Sequence, residues 1–123
     1  MPPPARPVVL LFRRPPYGAV HPAEGLRAAQ AILAFQMPLR VVFIGDGVYN
    51  LLRNQGGGSL GFGDLGAAFA GLVEQGLGEL CVLGEDLRAR GLGREELVEA
   101  PIRELSLEEL RAMIEDARAV VPF

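Results

Sequence analysis

The sequence predicts an α/β protein, a single three-layer α/β/α domain built on a mostly parallel five-stranded sheet. Three observations carry this. Short runs rich in β-branched residues recur along the 123-residue chain, and segments of helical periodicity separate them. The runs are apolar throughout instead of alternating, as strands covered on both faces are. With 50% of its residues apolar and 22% charged, the chain has enough material for one continuous core, whereas two separate cores would each be marginal. The domain is expected over residues 7–123, behind a frayed lead of residues 1–6.

The first strand is Val8-Val9-Leu10-Leu11-Phe12, which Pro15-Pro16 bring to a stop. From Pro22 to Phe35 the spacing of Leu26, Ala29, Ile32, Leu33 and Phe35 is helical, with Glu24 near the start where a negative charge suits the helix dipole. Val41-Val42-Phe43-Ile44 forms the second strand, and Gly45-Asp46-Gly47 turns the chain out of it. Asn54 to Gly63 is glycine-rich and reads as a flexible loop. Leu65 to Val73 has the alanine and leucine content of a helix, which Gly76 to Gly78 close. Leu80 to Leu83 is the third strand, followed by a short helix ending near Gly91, a suitable residue just past a helix end. Pro101 to Leu105 is a fourth strand, short and polar enough for an edge. Ser106-Leu107-Glu108-Glu109 is a capping box, and Leu107, Leu110, Met113 and Ile114 give the helix it starts an apolar stripe. Ala119 to Phe123 supplies the fifth strand.

Composition removes several kinds of chemistry. Fifteen acidic residues against twelve basic ones leave a mildly negative chain without a broad footprint for a phosphate backbone, so direct nucleic-acid binding is not expected. All twelve basic residues are arginine, which excludes Schiff-base and lysine-nucleophile chemistry and any lysine-bearing phosphate loop. One cysteine cannot close an internal disulfide, and the proline-broken N-terminus matches neither a signal peptide nor a membrane span. The expectation is a soluble cytoplasmic protein with no membrane attachment. Gly56, Gly58 and Gly61 match a dinucleotide fingerprint by letter, but no strand leads into them. Ser59 lacks the strand-to-helix elbow that a triad with His21 and Asp46 would need. One histidine and one cysteine do not make a zinc site, and neither a metal nor a cofactor is expected.

In parallel sheets of this class, ligands and reactive groups gather beyond the carboxyl ends of the strands. The loops Arg13 to His21, Gly45 to Tyr49 and Leu83 to Asp86 place Arg13, Arg14, Tyr17, His21, Asp46 and Tyr49 there, with Cys81 one pleat further in. His21 is read as a loop residue that caps or hydrogen-bonds the following helix before it is read as an acid or base. Asp46, between two glycines, is read as a turn former bonding nearby amides. Arg13 and Arg14 are either a solvated pair or the holders of an anion or a partner's carboxylate.

Taken together, several segments resemble the DsrE/DsrF-like sulfur-relay family, and within it the DsrF/TusC branch. They are Pro15-Pro16-Tyr17-Gly18, Ala23-Glu24-Gly25-Leu26, Phe43-Ile44-Gly45-Asp46-Gly47-Val48 with Leu51-Leu52, Leu87-Arg88-Ala89-Arg90-Gly91-Leu92, and Val120-Val121-Pro122-Phe123. The resemblance implies a small α/β subunit of a homo- or hetero-oligomer with sister subunits. Such assemblies pass persulfide sulfur between donor and acceptor proteins, toward tRNA thiolation in one branch and sulfur oxidation in another. It also implies a reactive cysteine at the end of the third strand in the carrier subunit. Counted back from Gly91, that position is Leu83 here, and Cys81 falls two residues earlier. Residues two apart in a strand are separated by roughly 6.5 to 7 Å, so Cys81 is expected in apolar surroundings with its pKa raised. Glu85 and Asp86 are expected to oppose a thiolate as well.

The leading expectation is therefore a structural or partner subunit of a relay complex, with Phe62, Phe69 and Phe123 as contact or core residues. A sulfurtransferase-type carrier acting through Cys81, and a module binding a small anion or nucleotide at the strand ends, are the alternatives. Any enzymatic activity would be at most sulfurtransferase-like.

Overall fold

The computed structural model describes residues 5–18, 20–53 and 64–123. Five strands form one sheet: β1 (Val8–Phe12), β2 (Leu39–Phe43), β3 (Leu80–Leu83), β4 (Ile102–Leu105) and β5 (Ala119–Pro122). Their order is β4-β3-β2-β1-β5, and every neighbouring pair is parallel. The carboxyl ends of all the strands consequently lie along one rim. The Asn54 to Gly63 loop, with Gly56, Gly58, Ser59, Gly61 and Phe62, and residues 1–4 of the expected lead lie outside the described residues.

Because β-strand side chains alternate in direction, the sheet has two apolar faces. On one, Leu10, Phe12, Val41, Phe43, Leu80 and Val82 pack with residues of the helices α1 (His21–Ala34) and α2 (Leu65–Leu72). On the other, Val9, Val42, Cys81, Leu83 and Leu105 pack with Leu110 of α4 (Leu107–Asp116). The short helix α3 (Gly84–Ala89) follows β3 without a loop. Helices on both sheet faces give the three-layer arrangement expected of the sequence.

Aromatic rings fill the core beneath the rim. Phe12 stacks on Phe43 at 5.1 Å and on Phe123 at 5.5 Å, while Phe69 meets Phe12 and Phe43 edge-on at 4.9 and 5.0 Å. Offset stacks and edge-to-face pairs are the arrangements that the ring quadrupole favours. Phe69 is fully buried, so it belongs to the core and not to a partner surface, and Phe123 is half-buried against the same rings. Gly25 lets α1 come this close, since a Cβ there would meet the Phe12 and Phe123 rings within 3.0 Å.

Local signals account for most element ends. Ser106 and Glu109 form the expected capping box at α4, at 3.1 and 3.0 Å. Gly91 follows α3 at φ +65°, and a π turn over Val73–Leu77 extends α2 before Gly76 and Gly78 stop it at positive φ. Four details differ from the sequence reading. His21 is the first residue of α1, and no side chain among the described residues caps that helix. Gly45-Asp46-Gly47 opens a 3-10 helix over Gly45–Leu51 in place of a bare turn. Leu107 is exposed, because its position on α4 turns away from the sheet. Finally, β5 is the second edge, exposed along its length although its sequence is apolar; its Pro122 is a residue that edge strands tolerate.

Candidate functional site

Two groups of residues matter, one at the rim and one toward the opposite end of β3. At the rim, Leu83 ends β3 and precedes α3, and it is buried. Asp86, in the first turns of α3, accepts the Gly45 amide hydrogen through Oδ2 at 2.7 Å. Arg90 donates to Asp46 Oδ1 from Nε at 3.2 Å and from Nη2 at 3.0 Å, and to the Asp86 carbonyl from Nη1 at 3.2 Å. Its guanidinium also lies 6.0 Å from the centre of the Tyr49 ring. Asn50, fully buried, donates to the carbonyls of Arg14 and Gly47 at 2.8 and 2.9 Å and so ties the 3-10 helix to the end of β1. Gly47 sits directly against the Phe12 carbonyl, where no Cβ fits.

This geometry brings some expected residues together and leaves others apart. Asp46 and Tyr49 join Arg90 in one network, and among the described residues Asp46 pairs with that arginine and bonds no nearby amide. The carboxylate that holds an amide is Asp86. Arg13 and Arg14 are exposed, and their guanidinium groups make no ion pair among the described residues. Tyr17 is also exposed. His21 Nδ1 is buried and has no hydrogen-bond partner among the described residues. Arg90 and Asn50 were not among the residues singled out from sequence. The Arg88-Ala89-Arg90-Gly91 segment was the available signal for the first, and a buried asparagine leaves no signature.

Cys81 belongs to the second group. It pairs with Val42 on β2 and Arg103 on β4, on the sheet face that α4 covers, and its side chain is fully buried. Its sulfur lies 3.9 Å from Glu79 Oε2. Glu79 in turn faces Arg40 at 3.8 Å and Arg103 at 3.9 Å, and Arg103 reaches Glu109 at 3.1 Å. Burial, followed by the Glu79 carboxylate, pushes the thiol up to about 11, against the pull of Arg40 and Arg103. A thiol in that state is a poor nucleophile. The opposing carboxylate is thus Glu79, before the strand, and not Glu85 or Asp86 after it.

Elsewhere, one cavity of about 490 Å³ lies beside α2 and another of about 710 Å³ lies by the amino ends of the strands. Among the described residues no cluster of histidine, cysteine, aspartate and glutamate could hold a metal ion. No described helix is long and apolar enough to cross a membrane.

The chain is similar to curated proteins over most of its length. It is 31% identical over 99 residues to the intracellular sulfur oxidation protein DsrF of Allochromatium vinosum, covering 80% of this chain and 73% of that one. It is 32% identical over 113 residues to a TusC homologue of Vibrio parahaemolyticus, covering 92% of this chain and 95% of that one. The solved structure of the ychN protein from E. coli shares the fold, with a TM-score of 0.83 at 22% identity over 96% of this chain and 99% of that one. The profile of the DsrE/DsrF-like family matches residues 6–123, and the chain belongs to that family.

Proposed function

We propose that this chain is a partner subunit of an intracellular sulfur-relay complex, in which a sister subunit carries the persulfide. The observation that carries this reading is the placement of the chain's single thiol. Leu83 occupies the end of β3, where the resemblance puts the carrier cysteine, and Cys81 is sealed one pleat below it. In a relay step the acceptor thiolate attacks the outer sulfur of a donor persulfide. One S–S bond forms as another breaks, the donor leaves as a thiolate, and no oxidant is consumed. Such a step needs an accessible thiolate, and a buried thiol raised to about 11 supplies neither access nor charge. Kinship with proteins named DsrF and TusC supports the relay assignment. It also supports a cytoplasmic hetero-oligomer of small DsrE-like subunits over a free-standing enzyme.

The test pairs capture with chemistry. The tagged chain is purified from its source cells, its companions are identified by mass spectrometry, and the complex is treated with sodium polysulfide before intact-mass measurement. The expected result is a second DsrE-like subunit that gains sulfur while this chain does not. A stable sulfur adduct on this chain, lost in Cys81→Ser, would overturn the partner role in favour of a carrier.

A further inference from the structure

The two faces of the sheet are closed unequally. On the face with the phenylalanine cluster, α2 buries Leu65, Gly66, Phe69 and Leu72, and α1 adds Pro22, Gly25 and Ala29. On the other face, α4 joins the two edge strands β4 and β5, and of its ten residues Leu110 alone is buried. Met113 and Ile114 are half-buried, and Leu107 is exposed. We infer that α4 is a releasable cover: the face carrying Cys81 and Leu83 opens by detachment of this one helix, while the five-stranded sheet and its opposite face stay closed. The inference does not depend on the partner role, since a chain that never carries sulfur would open in the same way.

The way α4 is attached carries this reading. The Ser106–Glu109 capping box satisfies the first turn of the helix itself and does not bind it to the sheet. Arg103, opposite Cys81 on β4, reaches Glu109 at 3.1 Å, but both side chains are 48% exposed, so water competes for the pair. At each end α4 is joined to a strand with a ladder of its own, β4 on β3 and β5 on β1, through the extended residues Ser106 and Ala117. Release of α4 therefore breaks no strand pairing. What it uncovers is the apolar layer packed with Leu110, namely Val9, Val42, Cys81, Leu83 and Leu105. A ten-residue helix does not hold alone in water, so α4 unwinds as it leaves. Access to the thiol is set by this local opening, and global unfolding is not required.

The experiment follows Cys81 labelling by iodoacetamide and hydrogen exchange of α4 in the full chain, across low urea. In the native chain the labelling rate and the α4 exchange rates should rise together and shallowly with urea, because the opening exposes one helix. The amides of β1, β2 and β3 should keep the steep dependence of the equilibrium melt. Leu110→Ala removes the one buried anchor and should speed α4 exchange and Cys81 labelling by the same factor, roughly tenfold or more. Ile114→Ala should do the same to a smaller degree, and it carries the comparison if Leu110→Ala does not fold. Leu72→Ala, on the opposite face, should lower the urea midpoint yet leave labelling without urea unchanged. Labelling of the native chain with the full slope of the melt, or a rise in Leu72→Ala that matches its loss of global stability, would overturn the inference. So would α4 exchange that quickens in Leu110→Ala without faster labelling. None of these results bears on which subunit carries the persulfide, so the partner role is tested separately.

Discussion

Moving the thiol two residues along β3 should convert it from inert to reactive. In the native chain the Cys81 thiol is raised from 9.0 to about 11, burial being the largest cause and Glu79 the next. At a pH of about 8, a thiol of pKa about 9 is roughly one-tenth thiolate and one of about 11 roughly one-thousandth, a hundredfold difference in nucleophile. Full burial of the side chain adds a steric barrier to that factor. In the variant Cys81→Ser, Leu83→Cys the thiol sits at the last residue of β3, away from Glu79, and replaces a larger side chain that is itself 6% exposed rather than fully sealed. The α3 amides favour its thiolate, while Glu85 and Asp86 in the first turn oppose it. Iodoacetamide modification followed by intact mass measures both thiols against the same chains in denaturant. The native chain should react about a hundredfold or more slower folded than unfolded, and the relocated thiol within about tenfold of its unfolded rate. Glu79→Gln should fall between them, because it removes a carboxylate but not the burial. Native Cys81 reacting as fast as in denaturant, or a relocated thiol no faster than Cys81, would refute the reasoning.

Two further outcomes follow from the same contacts. A thiol raised in the folded state stabilises the fold fully below pH 9.0, and that contribution is lost as pH climbs through about 11, because the unfolded chain releases the proton first. Denaturant midpoints should therefore show about 1 kcal/mol more loss between roughly pH 8 and pH 10 in the native chain than in Cys81→Ala. An identical alkaline slope in both would show that the thiol does not titrate differently in the fold. Gly47→Ala should cost about 1–3 kcal/mol by overpacking. The added Cβ meets the Phe12 carbonyl, which accepts the Ile44 amide hydrogen at 3.0 Å. A chemical melt within about 0.5 kcal/mol of the native chain, the range of an ordinary surface substitution, would show that the approach of the 3-10 helix to β1 is not tight.

Much of the fold could be read from the sequence because its signals are local. Val8–Phe12 and Leu80–Leu83 are apolar runs of strand length, and both became buried strands. Ser106 and Glu109 carry their capping box within four residues, and Gly91 marks the end of α3 by its backbone freedom alone. The errors arose where tertiary position overrides pattern. Ala119 to Phe123 reads as a fifth strand, and β5 forms over Ala119–Pro122, but its apolar sequence does not reveal that it is exposed, because the strand order puts it at an edge. Phe69, which the sequence left between partner contact and core packing, is a core residue of α2 because Phe12 and Phe43 from two strands enclose it. Leu107 fits the helical stripe by spacing, yet the helix presents Leu110 to the sheet instead.

The candidate site was less legible because its partners are far apart in the chain. Asp86 and Gly45 are separated by 41 positions, and Arg90 and Asp46 by 44. Nothing in either segment names the other until the parallel register sets β2 beside β3. The same register decides the fate of the thiol. With Cys81 opposite Val42 and Arg103, the sulfur points to the α4 face, between two arginines and against Glu79. A shift of β3 by one residue would turn every side chain of the strand to the opposite face and send Cys81 toward the phenylalanine cluster. Composition alone, one cysteine among apolar neighbours, is equally compatible with a carrier and with a core residue. What separates them is that Leu83, and not Cys81, ends the strand at the rim where Arg90 and Asp46 hold the turn. On the partner-subunit reading proposed above, a reactive thiol would come from another chain or from a substitution at position 83.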